Sequence, residues 1–154
     1  MAQIAEVATK KPIVPFLEIE DGSPYLKGVK CPQCGTYFLG ERLACSKCSH
    51  AEGFEPVKLS TNGEVYVYSI VHQSFPGAEV PFVAAIVDLP EGVPIRCNIR
   101  NVEPTPEKGV KFGMKVEMKT GPVEFADKDG TQQTRKDKEG NEVIAFWFEP
   151  AKGA

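Results

Sequence analysis

From Phe54 onward apolar and polar residues alternate with a period of two, which puts successive side chains on opposite faces and predicts strands rather than helices. The first run, Glu64 to His72, follows the turn signal Asn62-Gly63 and is long and apolar on both faces. Phe82 to Leu89, Val93 to Arg100, Met114 to Met118 and Val143 to Phe148 continue the series, most of them separated by Gly and Pro. Five strands in about ninety residues, the first unusually long and with a break between the third and fourth, predict a small closed Greek-key barrel of the OB type. An open sandwich shares the same periodicity and remains the alternative. Residues 127–142 hold four positive charges, five negative charges and two glycines, the signature of a solvated loop or hairpin tip between the last two strands.

Before Phe54 the alternation is lost. Lys10, Lys11, Pro12 and Pro15 prevent a long helix ahead of Phe16-Leu17-Glu18-Ile19, so residues 1–23 are expected to form an arm. Phe16, Leu17 and Ile19 would dock either on the body of the protein or on a partner. Residues 24–55 carry the cysteines and Tyr37-Phe38-Leu39, the apolar middle of a hairpin. The expected organisation is therefore mainly β: arm 1–23, four-cysteine zinc ribbon 24–55, five-stranded OB-fold barrel 56–150 and tail 151–154.

Four of the five cysteines fall in two C-x-x-C pairs, Cys31 with Cys34 and Cys45 with Cys48. Each pair presents two sulfurs from one tight turn, and the ten residues between the pairs suffice for a short hairpin, so four thiolates converge on one tetrahedral metal. Disulfides would need an oxidising compartment, whereas the start of the chain carries no apolar signal segment and Cys97 leaves the count odd. A redox dithiol explains one pair but not two this close, and iron in a rubredoxin-like site remains chemically open beside zinc. Zinc is the expected cofactor, one ion with a structural role, because four protein thiolates leave no position for water or substrate. Gly35 follows the first pair where a knuckle needs unusual dihedrals; Ser49 follows the second and suits that turn less well. Lys27, Lys30 and Lys47 are close enough in sequence to offset the charge of a tetrathiolate site, and His50 reads as solvent-facing rather than as a ligand.

Composition narrows the function. The chain has 154 residues, 42% hydrophobic and 25% charged, which is a globular balance for one domain and a small module. No segment approaches the roughly 20 apolar residues of a membrane span, and cytoplasmic residence is the expectation. A net charge of -3 weighs against nucleic acid as a partner. Cys97 shares a strand face with Val93, Ile95 and Ile99 and reads as a buried small hydrophobe. His72 has no nucleophile tied to it by spacing. Arg96 and Arg100, with Asn98 between them, point away from the core face and suit phosphate groups. Trp147, the only tryptophan, either fills the junction of barrel and ribbon or anchors an interface.

The stretches Tyr25 to Gly35, Gly63 to Val71, Pro81 to Leu89 with Glu91-Gly92, Phe112 to Val116 and Phe148-Glu149-Pro150 together resemble one family. This is the rubredoxin-like zinc-ribbon plus OB-fold family that accompanies thiolases and other acyl-CoA enzymes. Ser49, the Pro-free stretch Gly40 to Ala44 and the long charged insert depart from its pattern and bear on loop shapes. The resemblance implies a non-catalytic subunit in a hetero-oligomer with a thiolase-like catalytic chain, bridging subunits and sharing a CoA thioester with its partner. Among family members it extends to those that serve thiolytic cleavage of benzoylsuccinyl-CoA to benzoyl-CoA and succinyl-CoA. On that reading His72, Phe75, Arg96 and Arg100 are the candidate contacts to CoA or acyl group, and Phe16, Leu17 and Trp147 the candidate partner interface. The alternative is a single-stranded nucleic-acid module using Tyr66, Tyr68 and Phe82 with Arg96 and Arg100. An independent enzyme finds no catalytic constellation in the sequence.

Overall fold

A computed structural model describes residues 10–20, 23–126 and 129–151. In chain order the strands are β1 (Lys10–Pro12), β2 (Leu17–Glu20), β3 (Ser23–Lys30), β4 (Tyr37–Leu39), β5 (Glu55–Leu59), β6 (Asn62–Val71), β7 (Phe82–Asp88), β8 (Pro94–Ile99), β9 (Lys115–Pro122), β10 (Glu124–Ala126), β11 (Gln132–Thr134) and β12 (Glu142–Pro150). No helix long and apolar enough to cross a membrane occurs among the described residues.

Antiparallel pairings run β8–β7–β6–β9–β12, and β12 returns to β8 through the parallel partners Phe148 and Ile99, which closes a five-stranded barrel. The amide of Arg100 donates to the carbonyl of Phe148 at 2.9 Å across this seam. This is the OB topology that the alternation predicts, and it removes the sandwich alternative. Strict alternation in β7 and β8 sends Val83, Ala85, Val87, Ile95, Cys97 and Ile99 into the core. β6 serves two neighbours, β9 over Asn62–Glu64 and β7 over Glu64–Val71, with a bulge between Val65 and Val67. Gly63 makes that crossing possible, because a Cβ there would lie 2.5 Å from the carbonyl oxygen of Asp88.

The cysteine-bearing segment hangs on a second sheet with β3 at its centre. β5 pairs one side of β3, while β2 and β4 pair successive stretches of it, Leu17 opposite Leu26 and Phe38 opposite Val29. The two faces of this sheet have different fates. Leu26 and Leu59, with half-buried Tyr37, Leu39 and Val57, join the barrel core; Val29 and Phe38 form a separate cluster with Cys31 and Cys45. Gly28 allows the close layering, since a Cβ there would lie 2.6 Å from the Phe38 carbonyl oxygen and 2.9 Å from the Leu59 side chain. β5 itself straddles positions 55 and 56, the expected boundary between ribbon and barrel, and its Leu59 is 3% exposed in the barrel core.

Residues 10–20 are tied to this body at both ends. β1 runs parallel to β12, with the Ile13 amide donating to the Ile144 carbonyl at 2.8 Å. Phe16 meets Phe146 edge to face at 5.8 Å, and its carbonyl accepts from the Lys27 amide at 2.7 Å. Leu17 has no exposure and belongs to the chain's own core, so this member of the expected partner interface offers no surface to a partner. The remainder of the expected arm and of the tail lies outside the described residues. Beyond β9 and before β12, β10 and β11 form the antiparallel hairpin that the charged insert predicts.

Candidate functional site

The two C-x-x-C turns are near copies. The amide of Gly35 donates to the carbonyl of Cys31 at 2.9 Å, and that of Ser49 to Cys45 at 2.9 Å. Each turn is closed by its first cysteine's amide, Cys31 donating to Thr36 at 2.9 Å and Cys45 to His50 at 2.7 Å. The Lys47 amide also points at Cys45 Sγ, 3.4 Å away. The two turns face each other with Cys31 and Cys48 sulfurs 3.6 Å apart, Cys34 and Cys45 sulfurs 3.5 Å apart, and all four sulfurs within 4.8 Å of one another. A tetrahedral ion with metal–sulfur bonds of about 2.3 Å needs sulfur–sulfur edges of about 3.8 Å, so the four residues fit a zinc-sized ion. None of the five cysteines is in a disulfide.

Electrostatics point the same way. The Thr36 hydroxyl, 3.1 Å from Cys34 Sγ, followed by the Thr36 amide, draws the Cys34 thiol down to about 6. The His50 amide pulls Cys48 down as well, but burial and the sulfurs of Cys45, Cys31 and Cys34 outweigh it and lift Cys48 to about 12. Four clustered sulfurs resist full ionisation by themselves; a dication at their centre would relieve the repulsion. Lys27 does not serve this charge, being paired with Glu18 at 3.1 Å, whereas Lys30 lies over the Tyr37 ring at 5.6 Å beside the first knuckle. The His50 ring faces Phe54 at 6.5 Å. Sequence reasoning passed over Thr36, two residues beyond Cys34, and Arg42, whose guanidinium lies 4.4 Å from the Phe38 ring centroid on the cysteine side of the sheet.

The other candidate residues gather on the barrel exterior. Register places Val67, Ile86 and Arg96 in one row, Ser69, Ala84 and Asn98 in the next, and Val71 and Phe82 in a third that Arg100 follows. The arginines are exposed, and neither has a carboxylate partner within ion-pair distance among the described residues. The loop joining β6 to β7 starts at His72 and presents Phe75 at 74% exposure next to this face. Arg100 is held over Trp147, 4.1 Å from the ring centroid, and Trp147 Nε1 donates to Glu149 at 3.3 Å. Trp147 therefore belongs to the outer barrel wall, and the ring contact that joins arm to barrel is made by Phe16 and Phe146 instead. Of the aromatics named for the nucleic-acid alternative, Tyr68 packs on the core and on Phe112 at 4.9 Å, Tyr66 is exposed, and Phe82 shares the face of the two arginines. Cys97 is 8% exposed, and burial pushes its thiol up to about 12.

Residues 56–121 match the family described as ChsH2, C-terminal OB-fold domain. A DUF35 domain-containing scaffold protein of Methanocaldococcus jannaschii is 42% identical over 94 residues, which are 60% of this chain and 64% of that protein. The benzoylsuccinyl-CoA thiolase subunit BbsA of Geobacter metallireducens is 33% identical over 104 residues, 68% of this chain and 67% of that subunit. The chain thus spans about two thirds of the length of these relatives. Among solved structures, the Ltp2-ChsH2(DUF35) aldolase superposes with a TM-score of 0.57 at 24% identity, covering 82% of this chain and 84% of the other, a likeness of fold.

Proposed function

Because the chain belongs to the DUF35 family of ChsH2-type OB-fold proteins, we propose that it is a non-catalytic accessory subunit of a thiolase-type acyl-CoA complex. The observation that carries this reading is the likeness to a thiolase subunit over 104 residues, 68% of the chain. The chemistry of the residues agrees: Cys97, the one thiol outside the cysteine cluster, is buried with its thiol pushed up to about 12, and His72 is exposed where β6 ends.

In this reading a structural zinc ion bound by Cys31, Cys34, Cys45 and Cys48 fixes the ribbon, and the barrel wall shapes the site where the catalytic chain holds its thioester. Arg96 and Arg100 meet phosphate groups of CoA as charge-assisted forks, and His72 and Phe75 approach the pantetheine or acyl end. Phe16 and Trp147 border the surface covered by the partner. Such a subunit accelerates the reaction by positioning the thioester and excluding water, since it supplies no acid or base of its own. The reaction proposed is thiolytic cleavage of benzoylsuccinyl-CoA by CoA to benzoyl-CoA and succinyl-CoA, in the cytoplasm.

The test is reconstitution: the purified chain is added to a thiolase-type catalytic chain from the same genome, and CoA-dependent loss of benzoylsuccinyl-CoA is followed by chromatography. Turnover should require both chains. Equal turnover by the catalytic chain alone, or turnover by this chain alone, would contradict the proposal.

A further inference from the structure

We infer that metal binding orders only the two knuckles and the cover they form over Val29 and Phe38, and that the sheet beneath them is held by the barrel whether or not metal is present. The inference is independent of the accessory-subunit reading. It rests on the separation of the two apolar clusters across one sheet. The inward face of β3, β4 and β5 supplies Leu26, Tyr37, Leu39, Val57 and Leu59 to the same core as Val65, Val83 and Phe148. The outward face supplies Val29 and Phe38 to a cluster otherwise made of Cys31, Cys45, Cys48 and Phe54.

The hydrogen bonds divide in the same way. β3 is bonded to β5 over five residue pairs, Leu26↔Leu59 to Lys30↔Glu55, none of which involves a knuckle. The knuckles are closed by their own short bonds, Cys31 with Thr36 and Cys45 with His50. Between them run Glu41 to Ala44, all exposed, with Leu43 at 94% exposure. With the cysteines unligated the knuckles lose their common anchor, whereas Leu26 and Leu59 keep theirs. The small unfolding unit is thus residues 31–36 and 40–54, and the large unit is the barrel with β2, β3, β4 and β5. Metal occupancy would then set whether the Leu43 loop is presented in one place and whether Phe38 is covered, without unfolding the barrel. Most small zinc modules differ, because their whole core assembles on the ion.

Hydrogen exchange read by mass spectrometry on the full chain tests this, comparing the zinc-loaded form with a chelator-stripped form whose mass confirms metal loss. Amides of residues 31–36 and 45–50 should exchange at least about tenfold faster in the stripped form, and those of β3, β5 and the barrel strands less than about twofold faster. A second measurement guards against global effects: urea unfolding followed by Trp147 on the barrel wall should retain one cooperative transition with nearly the same midpoint after stripping. Loss of protection across β3 and β5 together with the knuckles, loss of the Trp147 transition, or knuckles that stay protected without metal would each overturn the inference.

Discussion

Gly35 and Ser49 occupy the same position in two copies of one turn, with φ of 75° and 65° and the same 2.9 Å bond back to the first cysteine of each pair. Only one of the two is the residue this conformation favours. A left-handed dihedral costs a residue bearing a Cβ about 1 kcal/mol, so Ser49→Gly should stabilise the second knuckle by roughly 0.5–1 kcal/mol, while Gly35→Ala should weaken the first by a similar amount. Resistance to a competing chelator, measured as the half-time of zinc loss, should lengthen in the former variant and shorten in the latter. Equal half-times across all three proteins would show that knuckle geometry does not limit metal retention.

Metal retention should also depend on pH with a definite sign. Thr36 lowers Cys34 from 9.0 to about 6, so the support its thiolate gives the folded knuckle is complete above pH 9.0 and lost as pH falls through about 6. Cys48, raised to about 12, surrenders its proton only in exchange for a cation. Zinc uptake therefore releases protons, and zinc should be held at pH 7.5 and released progressively as acid is added. Thr36→Val should move the release curve, followed with a chromogenic indicator, toward higher pH. An unmoved curve would remove Thr36 from the account of the site.

Trp147 covers Gly121 so closely that a Cβ on Gly121 would sit 2.7 Å from Trp147 Cη2. Gly121→Ala should therefore shift the indole and break the Arg100 stack, at a cost of about 1–3 kcal/mol. A changed Trp147 emission maximum in the folded protein, with a lowered urea midpoint, is the expected result. Unchanged fluorescence and stability would mean the strands part readily at this point.

Leu17 and Phe75 were both candidates for contact outside the chain, and the structure separates them. Leu17→Ala removes a fully buried side chain that joins β2 to the barrel core and should cost about 2–5 kcal/mol in equilibrium unfolding. Phe75→Ala should leave stability within about 0.5 kcal/mol and weaken only binding to CoA or to the catalytic chain. A Phe75→Ala protein with full activity in the reconstituted complex would withdraw this loop from the proposed site.

The barrel was legible because β7 and β8 each have one buried face, so the period of two survives in the sequence at Val83-Ala85-Val87 and Ile95-Cys97-Ile99. The cysteine site was legible from spacing alone. β1 was not, since Lys-Lys-Pro has no buried face and is a strand only because β12 lies beside it. β2 carried a faint signal in the alternation Leu17-Glu18-Ile19-Glu20, obscured by the prolines before it. Between the two readings of Trp147, ribbon junction or interface anchor, the sequence could not choose, because the face of a strand does not tell which neighbour crosses it; that neighbour is Gly121, set by the pairing of Ala145 with it. The division of the ribbon sheet into a barrel face and a metal face was likewise hidden, because Tyr37-Phe38-Leu39 is apolar on both sides.

The central claim, that this chain works as the zinc-bearing accessory subunit of a thiolase-type complex, is tested most directly by native mass spectrometry of the protein captured from its own cells. The expected result is a hetero-oligomer containing a thiolase-sized chain, with one zinc ion for each copy of the small chain. A metal-loaded chain that travels alone, or in company with nucleic acid, would contradict it.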